Sequence, residues 1–307
     1  MAAAVSRAAV IGTGTMGPGI GAVLARTGIE TALYDVSPEA LERAKAGAEL
    51  AGGVLERLDA AREEGGSLRF EEDLGAALEG AEFVIEAVPE KLELKHEVFR
   101  QFEQVVAPEA VLASNTSGIP ITAIAEACEH PERVVGMHWS NPPHLIPMIK
   151  VIPGEQTGEA AVEATSELVR RIGYHPVRER EVAGFVENRI LYAILRECLD
   201  LVDRGIISPE GLDLNVRWGI GYKLAVIGPM ELLDMAGLDI YNAVGSYLNK
   251  DLSTSGEVSQ TIRELIDAGR LGMKTGGGIY DYTPEQIDEL RAQRAGKLVA
   301  VRKALEA

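Results

Sequence analysis

Ala8-Ala9-Val10-Ile11-Gly12-Thr13-Gly14-Thr15-Met16-Gly17 is the stretch whose reading decides the fold. Four apolar residues form a buried strand, and the glycines that follow break it and start a helix. Gly12 permits the tight turn, Gly14 lets backbone approach a pyrophosphate, and Gly17 lets the helix sit close on the sheet. The helix is expected over residues 15–27, with Met16, Ile20, Val23 and Leu24 on one side, and it stops at Gly28. Residues 31–34 read as the next strand, which Asp35 closes. Strand, glycine turn, helix, strand and acid together are the physical recipe for holding a dinucleotide. The helix N-terminus offers N–H groups and a positive dipole end to the phosphates. Asp35 is placed to accept from a ribose 2'-hydroxyl and would repel a phosphate there, so NAD is expected rather than NADP. Arg43, the nearest following base, lies along the next helix. The expected cofactor contacts are Gly12, Gly14, Thr15, Met16, Gly17 and Asp35.

Outward from this unit, strand-like runs alternate with helical ones. Residues 38–66 read as a polar helical pair, residues 83–88 as a buried strand, and residues 110–113, 134–137, 148–152 and 176–178 as further strands. That alternation is the signature of a doubly wound sheet in an α/β protein. From Gly184 the pattern turns helical only: Ile190, Leu191, Ile194, Leu195, Cys198, Leu201 and Val202 recur at helical spacing as far as Gly205. The expected organisation is a Rossmann-type NAD-binding domain over residues 1–183 and an all-helical substrate and dimerisation domain over residues 184–307. Apolar runs such as Leu224-Ala225-Val226-Ile227 and Leu232-Leu233 exceed what one face of a small domain needs, which suits a homodimer.

A chain of 307 residues, 46% hydrophobic and 25% charged, has room for two domains and a large core. No apolar run approaches the roughly eighteen residues needed to cross a membrane. The opening residues lead straight into the first strand, which leaves no room for a signal peptide. A formal net charge of -17 provides no basic footprint for nucleic acid or an anionic membrane. Cys128 and Cys198 stand far apart without metal-ligand spacing and read as buried small hydrophobes, so a cytoplasmic location and no metal are expected. His96, His130, His144 and His175 read as surface or internally satisfied histidines.

Three further segments carry chemistry: Ser114-Asn115-Thr116-Ser117 after a strand, Gly136-Met137-His138-Trp139-Ser140-Asn141-Pro142 at the end of another, and Gly184-Phe185-Val186-Glu187-Asn188-Arg189 opening the helical half. In this order and spacing, with Lys274-Thr275-Gly276-Gly277-Gly278-Ile279-Tyr280 near the end, the chain resembles the 3-hydroxyacyl-CoA dehydrogenase family over essentially its whole length. The resemblance implies an NAD-dependent dehydrogenase. His138 falls on the family's general base, and Ser117 and Asn188 on donors to the reacting oxygen. Glu90 and Lys95 fall near the nicotinamide ribose, and Asn115 among the cofactor contacts. Removing hydride from a C–OH carbon requires a base of near-neutral pKa on the oxygen, which a histidine supplies. Trp139 either shapes a flat pocket or packs in the core.

One position departs from the family pattern. Twelve residues after the histidine the family carries a glutamate that orients the ring, and here Lys150 stands there. A cation ~4 Å from a histidine disfavours its charged form by about 4 kcal/mol at the effective dielectric of such sites. Three readings stay open, the first favoured. Lys150 presents its ammonium to an anionic substrate; it transfers protons itself, which suits imine or amine chemistry; or the chain binds NAD with impaired catalysis. Residues 41–66 are nearly balanced in charge and slightly acidic, where the resemblance implies lysines in members that meet the phosphates of a CoA ester. A small carboxylated alcohol or aldehyde hydrate is therefore expected as substrate, with a 3-hydroxyacyl-CoA ester as the alternative.

Overall fold

The computed structural model describes residues 5–307, so the part of the leader expectation that rests on residues 1–4 lies outside the described residues. The chain divides into two compact units, one running to Val186 and the other from Glu187 to Ala307.

The first unit is built on an eight-stranded sheet. Its elements run β1 (Arg7–Ile11), α1 (Gly17–Arg26), β2 (Glu30–Tyr34), α2 (Pro38–Arg57), β3 (Ser67–Glu71), α3 (Leu74–Leu78), β4 (Phe83–Glu86), α4 (Leu92–Val105), β5 (Val111–Ser114), α5 (Ile121–Ala125), β6 (Val134–Trp139), β7 (Met148–Pro153), α6 (Glu159–Arg171) and β8 (His175–Arg178). The strand order is β3-β2-β1-β4-β5-β6-β7-β8, and every pairing is parallel except β6 with β7. Both faces are covered: Ala8 and Val10 enter one apolar cluster while Ala9 and Ile11 enter the other, as strand periodicity requires. The order reverses at β1, between β2 and β4, which opens a crevice at the carboxyl ends of those strands.

Residues 38–66 are not a helical pair. Ser37 caps α2 by accepting from the Ala40 N–H at 3.2 Å, and Leu41, Ala44, Ala48, Ala51, Val54 and Leu55 bury one face of a single 20-residue helix. Asp59 then takes a positive φ of 54° and the chain leaves helical geometry. The strand β3 that follows was not expected. It is an edge strand of half-exposed, mixed polar residues, which carries little hydrophobic signal.

The helix α7 (Phe185–Asp203) starts on the last two residues of the first unit, and the second unit goes on through α8 (Pro209–Asn215), a π-helical stretch (Val216–Gly221), α9 (Tyr222–Leu224), α10 (Pro229–Ala236), α11 (Leu238–Leu248), α12 (Gln260–Asp267) and α13 (Pro284–Glu306). From Glu187 onward no hydrophobic side chain of the chain is buried. Among the described residues no helix is long and apolar enough to cross a membrane.

Candidate active site

The glycine turn does what its sequence implies, each glycine for a different reason. Gly12 has φ 106°, and a Cβ there would stand 2.6 Å from the Ala87 carbonyl oxygen. A Cβ on Gly17 would overlap the Gly12 carbonyl. Gly14 has nothing within 4 Å of a Cβ position, so its backbone is open to the outside of the chain. No side chain caps the N-terminus of α1 and no acidic residue stands in its first turn, which leaves N–H groups for a phosphate.

Asp35 follows β2 and is fixed from the turn itself. Its Oδ2 accepts from the Thr13 N–H at 2.9 Å and the Thr13 hydroxyl at 2.7 Å, and Oδ1 accepts from the Ser37 N–H at 3.1 Å. Burial pushes this carboxyl up, but the Thr13 and Ser37 bonds outweigh it and hold Asp35 below the usual carboxylate range. A cavity of about 780 Å³ lies over the crevice, walled by the residues 12–16 turn, Asp35, Glu90, Asn115 and Ser117. The donors and acceptors around it fit a dinucleotide: open backbone at Gly14, uncapped N–H groups at α1 and a fixed ionised acceptor at Asp35.

Glu90 and Lys95 differ in their placing. Glu90 lines the cavity, whereas Lys95 is 1% exposed and lies beneath it. The Lys95 ammonium donates to both oxygens of the buried Glu86, at 2.7 and 2.8 Å, and stands 3.2 Å from Glu90 Oε2. Glu86 also accepts from the Ser114 hydroxyl at 2.6 Å and the Val88 N–H at 2.7 Å. Glu90 Oε1 accepts from the Thr116 hydroxyl at 2.5 Å and from the N–H groups of Ser117 and Gly118 at 2.9 and 3.1 Å. Burial pushes Glu90 up, and the bonds from Thr116, Lys95 and Ser117 bring it below its ordinary value.

A second cluster sits on β6 and β7. His138 and Lys150 are direct partners in the antiparallel register, which puts both side chains on one face. Lys150 is 1% exposed, with Nζ 3.5 Å from His138 Nδ1 and 3.1 Å from the Ser140 hydroxyl oxygen. The ammonium therefore does not point to solvent. The His138 ring packs at a tilt on Phe185, with centroids 5.6 Å apart. Asn115 Oδ1 accepts the Trp139 N–H at 2.9 Å, tying the end of β5, and with it the cavity wall, to the end of β6. Asn188 lies in the first turn of α7, in the second unit.

Trp139 is a core residue, buried edge-on against Tyr174 with centroids 5.7 Å apart. Cys128 and Cys198 are half-buried rather than fully buried, and burial pushes the Cys128 thiol up to about 12. His96 Nε2 stands 2.7 Å from the Ala123 carbonyl, and burial pushes His144 down. Sequence reasoning missed Thr13, Glu86, Thr116 and Ser140. Two signals were present: Glu86 is a charged end to the apolar run Phe83-Val84-Ile85, and Ser140 lies two residues beyond His138, on the same face of an extended segment.

Family models describing the NAD-binding domain and the C-terminal domain of 3-hydroxyacyl-CoA dehydrogenase match residues 7–182 and 184–282. The chain is 53% identical over 301 residues to a 5-formyl-3-hydroxy-2-methylpyridine 4-carboxylate 5-dehydrogenase of Mesorhizobium japonicum, covering 97% of each chain. It is 36% identical over 278 residues to a probable 3-hydroxybutyryl-CoA dehydrogenase of Deinococcus radiodurans, covering 89% of this chain and 99% of the other. Among solved structures, a 5-formyl-3-hydroxy-2-methylpyridine 4-carboxylic acid 5-dehydrogenase, described as an NAD+ dependent dismutase, superposes with a TM-score of 0.96 at 52% identity, covering 99% of both chains.

Proposed function

The chain belongs to the 3-hydroxyacyl-CoA dehydrogenase family, and from that premise we propose that it acts on a small carboxylated aldehyde or alcohol rather than on a CoA ester. The observation that carries this reading is the buried Lys150 ammonium 3.5 Å from His138 Nδ1. A positive charge there is at odds with an imidazolium and favours an anionic substrate nearby. The exposed side of α2 supports the same reading: Glu39, Glu42, Glu49 and Glu56 outnumber Arg43, Lys45 and Arg57, a poor match for CoA phosphates. The relative of the same length is named for a pyridine aldehyde carboxylate, which belongs to this substrate class.

In this reading Gly14 and the N-terminus of α1 would hold the pyrophosphate of NAD, and Asp35 would accept from its adenosine ribose. NAD supplies a hydride acceptor, and NADH a hydride donor. The chain's own residues manage the substrate oxygen. An ammonium has donors and no acceptor, so at the contact with Lys150 the Nδ1 atom of His138 accepts and the ring proton resides on Nε2. Nε2–H then donates to a carbonyl oxygen, joined by Ser117, where negative charge develops. As that oxygen takes the Nε2 proton, Lys150 passes one to Nδ1, so the ring never becomes an anion. Oxidation runs these transfers backwards: Nε2 takes the hydroxyl proton while Nδ1 returns its own to Lys150. His138 is the general base in that direction and the acid in the other. An aldehyde hydrate presents the same H–C–OH unit as an alcohol, so one site serves both.

The second unit acts through a second copy of the chain. A helical unit that buries no hydrophobic side chain cannot offset its own conformational entropy. A second copy of the chain is a partner present wherever the chain folds, which supports self-association. In this reading the enzyme is a homodimer through its helical domain and works in the cytoplasm.

Following NADH with 5-formyl-3-hydroxy-2-methylpyridine 4-carboxylate and with acetoacetyl-CoA tests this reading. Saturable turnover of the pyridine aldehyde is expected. Turnover of the CoA ester alone, or of neither, overturns it.

A further inference from the structure

We propose that Ser140 is a positioning residue for the reaction: its hydroxyl oxygen aims the Lys150 ammonium at His138 Nδ1 and so sets which ring nitrogen of His138 carries the proton. The proposal rests on the reading above in one respect, that Lys150 donates to Nδ1.

Three observations carry it. First, the two contacts of the ammonium differ in strength. Lys150 Nζ lies 3.1 Å from Ser140 Oγ, inside the ordinary range of a hydrogen bond, and 3.5 Å from His138 Nδ1, at the limit of one. The three N–H bonds of an ammonium turn together about one C–N bond, so the stronger acceptor sets their direction and Nδ1 receives what that setting offers. Second, the groups around the ammonium are held more firmly than the ammonium is. β7 is an interior strand, with Lys150 paired to His138 on one side and to Val177 on the other. The His138 ring lies against Phe185. Trp139, between His138 and Ser140, packs on Tyr174 and donates its N–H to Asn115 Oδ1, which fixes the backbone that carries the serine. The lysine, by contrast, reaches the ring on a flexible four-carbon stem. Third, Ser140 is 9% exposed and Lys150 1%, so bulk water does not stand in for the hydroxyl when it is removed. Without that acceptor the stem samples rotamers that point Nζ away from Nδ1, and the imidazole is free to take either tautomer.

Substitutions at Ser140, read by kinetics and by the ¹⁵N spectrum of His138, test this. Ser140→Ala should lower kcat for 5-formyl-3-hydroxy-2-methylpyridine 4-carboxylate by roughly tenfold to a hundredfold, the effect of a misplacement of about 1 Å, with KM moved less than kcat and the Kd for NAD unmoved. In the same variant the Nδ1 and Nε2 shifts should leave their separate unprotonated and protonated values and draw together, as two tautomers exchange. Ser140→Thr keeps the hydroxyl and should retain most of kcat and the separated shifts. A loss of kcat in Ser140→Ala with unaltered shifts would mean that the serine acts elsewhere than on the ring. A Ser140→Thr protein of unmoved Tm that loses as much as Ser140→Ala would mean that the hydroxyl is not what matters. Either result overturns the proposal. Should Ser140→Ala not fold, Ser140→Cys, close to serine in size and only a weak acceptor, takes its place with the same expected and contrary results. A protonated Nδ1 in the unmodified protein defeats the Lys150 reading and the proposal together, whereas separated shifts there that Ser140→Ala leaves untouched overturn the proposal alone. If the unmodified protein does not turn over the aldehyde, the substrate assignment fails by itself and the His138 shifts still decide the role of Ser140.

Discussion

Lys150 stands directly across the β6–β7 pair from His138, its Nζ 3.5 Å from Nδ1, with the Ser140 hydroxyl oxygen 3.1 Å from the same nitrogen. A carboxylate in that place would accept from Nδ1–H and leave Nε2 bare, ready to take a proton. In the proposed mechanism an ammonium there reverses the ring. The histidine then meets a substrate as a donor, which suits a carbonyl before it suits an alcohol.

The glycine turn predicts a separation of stability from binding. Gly14→Ala adds a methyl into open space, so Tm should hold while NAD binding weakens because the pyrophosphate loses its approach. Gly12→Ala forces a side chain to φ 106° and against the Ala87 carbonyl, and should cost about 1–3 kcal/mol or more of stability. Equal Tm losses in the two variants would contradict these roles.

Asp35 should govern the choice of cofactor. Asp35→Ala removes a charged acceptor worth about 1.5–3 kcal/mol, so NAD should weaken by roughly tenfold or more and the gap to NADP should narrow. In the unmodified protein the depressed carboxyl keeps its charge, and the stability it contributes is fully present above the ordinary Asp value of about 3.9. That contribution is lost as pH falls through the lower folded value. NAD affinity measured by fluorescence should accordingly stay flat from neutral pH into mild acid. Equal dissociation constants for NAD and NADP would rule the assignment out.

His138→Ala should lower kcat by about 10²- to 10⁴-fold, the range for acid–base groups, and leave NAD affinity intact, because the ring is anchored on β6 and packs on Phe185. Turnover that survives unchanged would place the proton transfer elsewhere, with Lys150 the next candidate.

Much of this was legible in the sequence and some was not, for local reasons. The β1–α1–β2 unit is readable because strand, glycine turn, helix, strand and acid follow one another without interruption. The end of α2 and the strand β3 are not, since Asp59 gives no strong breaking signal and β3 has mixed polarity on an exposed edge. Lys150 is visible as a departure from the family pattern. Its contact with His138 depends on an antiparallel register that alternating strand and helix patterns do not announce. For Lys95 the resemblance gives a place near the cofactor, while its burial and its Glu86 contacts become legible only in the fold.

Dimerisation predicts its own outcome. Trp218 and Met235 are exposed on a unit without buried hydrophobic side chains, so Trp218→Asp should lower Tm and shift sedimentation toward smaller or aggregated species. A stable, active monomer at working concentration would contradict the proposed partner.

The most direct measurement is the ¹⁵N spectrum of His138 in the enzyme labelled at histidine, read beside the Lys150→Glu variant. In the unmodified protein Nδ1 should carry the shift of an unprotonated ring nitrogen and Nε2 that of a protonated one. In Lys150→Glu the pattern should invert, with carboxylated aldehydes losing kcat/KM and neutral 3-hydroxy substrates gaining it. A protonated Nδ1 in the unmodified protein, unchanged by Lys150→Glu, would contradict the account.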